Sequence, residues 1–156
     1  MYFFTVLTSC TSAPEKTEKR AAVPIFIIDS AKPFVEATNK MYGETFASGN
    51  SAKFVSCYTS DACIYVTNVP NMCRQQAITD FFNGAYAMGI RNLKLTTERI
   101  TGSWEAFVET GSYELFVDKR MSIDKGKYIV IWKEENGQWK MHGIFGIQIF
   151  QYPAKK

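Results

Sequence analysis

The chain has 156 residues, 46% hydrophobic and 15% aromatic, enough for one folded domain with a sizeable core. Its 18 basic and 15 acidic residues leave a net charge of only +3. That balance argues against a nucleic-acid partner, whose readers carry a clustered basic face. The basic groups in "EKTEKR" and at Lys155–Lys156 read as solvated tail charge.

The first ten residues, "MYFFTVLTSC", hold a short apolar run followed by Leu7-Thr8-Ser9-Cys10. This ending is similar to the lipobox of bacterial lipoproteins, in which the cysteine is lipidated after cleavage. Two features depart from that pattern: no basic segment leads it, and the apolar run is shorter than the ~7–15 residues of a signal core. On the lipoprotein reading, residues 1–10 are signal-like and Cys10 is the lipidation site. The domain is then exported and tethered in a bacterial cell envelope. The alternative is an ordinary N-terminal segment, an incidental Cys10 and a cytoplasmic protein. Residues 11–28 read as a linker. No later apolar run approaches the ~20 residues of a spanning helix.

"DSAKPFVEATNKMYGETFASGN" opens with helix-start residues, Asp29 or Ser30 as cap and Pro33 in the first turn. Phe34, Ala37 and Met41 fall on one predicted face, with Thr38, Tyr42 and Phe46 beside it. Gly49 is the stop. A short helix from Ser51 to Tyr58 follows, capped by Asn50. A strand is expected over Ala62–Thr67, closed by Pro70. Ile78, Phe81, Phe82 and Ala85 recur at helical spacing in "RQQAITDFFNGAYAMG".

The rest alternates as strands: 92–101, 105–118, 127–133 and 139–150, with turns at Gly102-Ser103, Asp124-Lys125-Gly126 and Asn136-Gly137. Helices gathered ahead of a meander give an α+β domain over 29–152. Three N-terminal helices pack in a strongly curved antiparallel sheet. Cys63 and Cys73 either form a bridge in an oxidising compartment or, the preferred reading, remain buried thiols.

Several chemistries lack their residues. One histidine and no Cys-x-x-Cys predict no metal site. No Gly-x-Gly-x-x-Gly, Walker-type loop or Gly-x-Ser-x-Gly is present, so no cofactor is expected. In the last strand Trp139, Met141 and Gly143 alternate with Lys140, His142 and Ile144. Indole and thioether belong inside, so His142 faces outward, toward the surface or a subunit contact.

The segments "MYGETFASGNSAKFVSCYTSDACIYV", "QQAITDFF" and "GKYIVIWKEENGQWKM" together resemble the SnoaL-like branch of the nuclear transport factor 2-like superfamily, which includes ketosteroid isomerase. The resemblance covers roughly residues 30–150 and implies a cone-shaped α+β barrel with an apolar pocket. In the isomerase a helical tyrosine stands eight residues before an acid or amide, and here Tyr42 stands eight before Asn50. The isomerase base lies five residues beyond the "DA" of the first strand, which falls on Val66. Its second acid falls on Tyr128 or Val130. Neither position carries a carboxyl group, so the resemblance implies the pocket without the isomerase chemistry.

Tyr42 and Tyr128 are candidate ligand-binding phenols. Val66 and Tyr113 are expected in the pocket wall, and Trp132 and Met141 as lining or floor. Glu109 is the candidate catalytic base. In "AFVETGSYELFV" alternation puts Phe107, Glu109, Tyr113, Leu115 and Val117 on one apolar face. A bulge at Gly111 would instead turn Glu109 out with Ser112 and Glu114. Glu98, grouped with Lys94 and Thr96, reads as solvated.

The leading reading is an exported domain that binds a small apolar or amphipathic molecule. One alternative is a cyclase-, dehydratase- or hydrolase-like enzyme using Glu109 with Tyr42 or Tyr128. Another is an interaction module, a homodimer, using the outer sheet face around Lys140, His142 and Ile144.

Overall fold

The computed structural model describes residues 28–118 and 121–148. The segment holding Cys10, the linker to residue 27 and the predicted strand end beyond residue 148 lie outside them. Two helices come first, α1 (Ile28–Ser48) and α2 (Ser51–Ser56). β1 (Tyr58–Val66), β2 (Met72–Cys73) and α3 (Arg74–Ala87) follow. The chain then runs through β3 (Asn92–Gly102), β4 (Ala106–Phe116), β5 (Ser122–Glu135) and β6 (Gln138–Gln148). As expected, the third helix follows the first strand and precedes the meander.

The sheet order is β2-β1-β6-β5-β4-β3. β3 to β6 form the expected antiparallel meander. The last strand, however, lies beside the first and runs parallel to it, Ile64 pairing with Ile144. The sheet is thus mixed, which corrects the all-antiparallel expectation, and it does not close into a barrel, since β2 and β3 remain edges. Register shifts interrupt the β1/β6, β3/β4 and β5/β6 ladders. Such bulges bend strands, and here they curve the sheet around the helices. α1 packs on β3 and α3 on β1.

The inward face of α1 is Val35, Thr38, Asn39, Tyr42, Thr45 and Phe46, all buried. The predicted face was off by one position: Phe34 and Ala37 are exposed and Met41 is half-buried. Three polar residues sit on the true face, so counting apolar residues alone selects the wrong stripe. α2 is capped as expected, Lys53 N donating to Asn50 Oδ1 at 2.9 Å. It stops two residues early because Tyr58 already belongs to β1. Phe46, Phe54 and Phe82 pack ring on ring at 4.7–5.4 Å and join all three helices.

β2 was not expected. It pairs antiparallel with β1 and sets Cys63 directly opposite Cys73, Cα atoms 4.1 Å apart. The two form a disulfide, which corrects the free-thiol reading. Cys57 is the buried free thiol, and burial pushes its pKa up to about 11. The turn expected at 124–126 lies inside β5, paired with Tyr113–Leu115. The connection falls earlier, where Met121 N donates to Asp118 Oδ1 at 2.7 Å. The β5–β6 hairpin turns on Asn136-Gly137 as expected, both at positive φ (55° and 77°), the conformation a two-residue hairpin requires.

A buried carboxylate beside an apolar cavity

Glu109 points inward and is fully buried. The β4/β5 ladder runs without a shift from Ala106 to Leu115, so β4 keeps its alternation through Gly111. The bulge is on the neighbouring strand, at Glu98, where the β3/β4 register slips between Thr97 and Arg99. Gly111 is needed for another reason. A Cβ there would stand 2.2 Å from the Thr96 carbonyl oxygen and 2.7 Å from the Tyr128 ring. The missing side chain lets the Tyr128 ring lie across β4, which brings its hydroxyl to Glu109.

Four donors from three elements meet the Glu109 carboxylate. Oε1 accepts from Asn39 Nδ2 on α1 (2.6 Å), Thr97 Oγ1 on β3 (2.7 Å) and the Tyr128 hydroxyl on β5 (2.6 Å). Oε2 accepts from Trp132 Nε1, also on β5, at 3.0 Å. Among the described residues no cation takes part. A buried carboxylate survives without one only when its hydrogen bonds are supplied this fully. Burial, and then the neighbouring Glu109 charge, push the Tyr128 phenol well above its ordinary pKa.

Next to this cluster lies a cavity of about 250 Å³, enclosed by α1, α3 and the sheet. Tyr42, Val66, Tyr113 and Tyr128, all expected in the wall, do line it. Phe81, Leu93 and Ile144 make most of the remaining surface apolar. Ile144, expected on the outer face, lines the cavity because the β5/β6 ladder shifts between Ile131 and Trp132, making His142 an extra residue that reverses the parity of β6. Trp132 and Met141, expected as lining or floor, are fully buried and do not line it. Trp132 stacks on Phe107 at 5.7 Å in the packed end of the cone. Glu109 itself is absent from the cavity wall and reaches it only through Tyr128.

The other phenols are paired. The Tyr42 and Tyr58 hydroxyls are 2.6 Å apart and share one hydrogen bond, so one of the two protons stays unshared. Burial pushes both phenols up. Tyr113 donates to Asp124 Oδ2 at 3.0 Å where β4 and β5 border the cavity. Asn39 and Thr97 line an open groove between α1 and β3. Glu109 therefore sits between two openings.

His142 faces outward as expected and is half-buried. Lys133 Nζ donates to its Nε2 at 3.1 Å, while Nδ1 lies 3.1 Å from Thr59 Oγ1 and 3.3 Å from Asp61 Oδ1. Glu98 is exposed and paired with Lys127. Among the described residues no group of three or more His, Cys, Asp and Glu is placed to hold a metal ion. Asn39, Thr97 and Tyr58 were missed by the sequence reading. The signal for Asn39 was available: it stands four residues before Gly43 and three before Tyr42, on the stripe that a one-position shift of the helix face would have turned inward.

No protein-family model matches the chain, and no curated protein matches it by sequence. Solved structures do match by shape. A nuclear transport factor 2-like protein with a cystatin-like fold from Novosphingobium aromaticivorans superposes with TM-score 0.69 at 12% identity, covering 80% of this chain and 86% of that one. A domain of unknown function with a cystatin-like fold from Nostoc punctiforme gives 0.68 at 9% identity, over 79% and 80% of the two chains. A ketosteroid isomerase-like protein from Erwinia carotovora atroseptica gives 0.63 at 10% identity, over 78% and 98%. The chain has the nuclear transport factor 2-like fold, the cone that the sequence resemblance implied.

Proposed function

We propose that this domain binds a small apolar or amphipathic molecule in the cavity between its helices and its sheet. The observation that carries this reading is the cavity itself: about 250 Å³, walled by aliphatic and aromatic side chains, with phenols of Tyr42 and Tyr128 among its few polar groups. Apolar concavities with a few placed polar groups are the usual form of small-molecule sites. Native mass spectrometry of the purified protein tests it. A co-purified molecule is expected, and it should be lost in Val66→Trp, which fills the cavity. A bound molecule unaffected by that substitution would place binding elsewhere. This reading leaves out the isomerase reaction, because by the sequence resemblance Val66 falls where the isomerase base would stand and a valine cannot accept a proton.

A second reading, an enzyme of the cyclase, dehydratase or hydrolase type, is favoured by one observation, the inward Glu109 linked to the cavity by Tyr128. A third is favoured by the outer sheet face. Tyr65 and Phe145 stack there at 4.4 Å beside Ile129 and Ile131, an apolar strip suited to a homodimer. Sedimentation of wild type against Ile131→Lys tests it: a dimer that becomes a monomer supports it, and a monomeric wild type ends it. The Cys63–Cys73 bridge supports export, since disulfides persist in oxidising compartments. Tethering through Cys10 predicts membrane association that Cys10→Ala abolishes. Among the described residues no helix is long and apolar enough to cross a membrane.

A further inference from the structure

Asn39 carries an anomaly. Its side chain is buried and its Nδ2 donates to Glu109, yet among the described residues its Oδ1 has no hydrogen-bond partner. An unpaired buried acceptor costs roughly 1–3 kcal/mol. Turning the amide by half a revolution would aim Oδ1 at Glu109 Oε1, which only makes sense if that oxygen carries a proton. The other donors sort in the same way. Trp132 Nε1 can only donate, and it holds Oε2. Tyr128 and Thr97, both on Oε1, are hydroxyls that donate or accept. Every group around Oε1 can reverse its role, and the one on Oε2 cannot.

We propose that Glu109 takes up a proton from a ligand in the cavity by way of the Tyr128 hydroxyl, and that the Asn39 amide turns to hold it. This rests on the ligand-binding reading above and names its ligand class: an apolar molecule with one weakly acidic O–H, a phenol or an enol. The ligand O–H donates to the Tyr128 oxygen. Its proton moves to that oxygen while the phenol's own proton moves across the 2.6 Å contact to Glu109 Oε1. Two O–H bonds break and two form. The negative charge passes from Glu109 to the ligand, and Tyr128 begins and ends as a neutral phenol. Burial disfavours any stop at the phenolate. Asn39 and Thr97 also line the groove between α1 and β3, so the proton returns to solvent by that groove.

The probe is 4-nitrophenol, whose absorption separates phenol from phenolate, combined with infrared difference spectroscopy for the protonated carboxyl group. Below the probe's own pKa, wild type should bind it as phenolate while a carboxylic-acid band grows in equal amount. Glu109→Gln should lose both signals. Tyr128→Phe should bind within about tenfold of wild type, the worth of one hydrogen bond, but hold a neutral probe and show no acid band. Should Glu109→Gln fail to fold, Tyr128→Phe decides alone. A probe bound neutral by wild type, or an acid band that survives in Tyr128→Phe, overturns the relay and leaves the cavity reading standing. Failure of the probe to bind at all overturns both.

Discussion

Replacing Glu109 with alanine should be among the most damaging single changes in the domain, and the structure says by how much. The substitution removes the acceptor from four donors at once. The hydroxyls of Thr97 and Tyr128 can turn to one another or to water. The Asn39 amide falls back on its longer contacts to Thr97 Oγ1 (3.3 Å) and the Tyr128 hydroxyl (3.5 Å). The Trp132 N–H cannot turn, and a buried donor left unpaired costs about 1–3 kcal/mol, so with the cavity left by the side chain the loss is about 2–6 kcal/mol. Domains of this kind have about 5–15 kcal/mol in all. Glu109→Gln should be milder. Its carbonyl oxygen still accepts from Trp132, and its amide can donate to Asn39 Oδ1 once that side chain turns, which leaves a loss of roughly 1–2 kcal/mol. Urea unfolding followed by tryptophan fluorescence measures both. At an m-value of about 2 kcal/mol/M, the alanine variant's midpoint falls by about 1–3 M and the glutamine variant's by about 1 M or less. The gap between the two should narrow when Asn39 is also replaced by alanine. An alanine variant that loses less than about 1 kcal/mol, or a glutamine variant as damaged as the alanine one, would refute this account of the cluster.

Gly111→Ala should lower Tm by about 5–10 °C, because the new methyl meets a carbonyl oxygen and the Tyr128 ring well inside contact distance and strain of about 1–3 kcal/mol follows; a change under a degree or two would mean the ring moves freely. Cys73→Ser opens a bridge between residues ten apart in sequence and should cost about 2–3 kcal/mol in urea unfolding. Dithiothreitol should destabilise wild type by a similar amount and leave the variant unchanged, and an indifferent wild type would argue against the bridge. Glu135 accepts from the Ser60 backbone and hydroxyl and from Lys140, and these hold its pKa down at about 2, against 4.5 when free. A depressed acid stabilises the fold above its unfolded pKa and loses that contribution as pH falls toward the folded one. Wild type should therefore weaken from about pH 5 to pH 2 more steeply than Glu135→Gln, and parallel acid limbs would deny Glu135 the role.

The parts of the fold that were legible in the sequence are those written in local chemistry. Asn50 as a cap, Asn136-Gly137 as a hairpin and the Ile78–Ala85 stripe each depend on neighbours within a few residues. What stayed hidden depends on residues far apart. The parallel pairing of β1 with β6 joins strands some eighty residues apart, and no local pattern encodes it. β2 is two residues long, too short for periodicity, yet it makes the disulfide. The face of α1 was misread because Asn39 is buried for the sake of Glu109, seventy positions away. At the site, alternation alone placed Glu109 inward. It could not say that Gly111 keeps the strand in phase because Tyr128 lies over it, nor that the bulge belongs to β3.

The position of the acid changes what the cavity can do. A carboxylate at Val66 would stand in the cavity wall itself, desolvated by apolar neighbours and in direct contact with anything bound. Here the acid sits on β4, behind Tyr128, where four donors solvate it in place of water. Its negative charge then costs the apolar cavity little, and the carboxylate that does line the wall, Asp124, is held by the Tyr113 hydroxyl. The same arrangement narrows the chemistry to one route, because every exchange between Glu109 and a ligand passes through a single phenol oxygen. A ligand without an acidic hydrogen would meet mostly hydrocarbon walls and phenols, with Thr67 and the Tyr113-bonded Asp124 among the lining residues, and would simply be bound. A ligand with one, oriented toward Tyr128, meets a proton acceptor whose partners on Oε1 are each able to reverse. Binding and proton uptake are thereby separable in this cone, and substitution of Tyr128 alone is the cut that divides them.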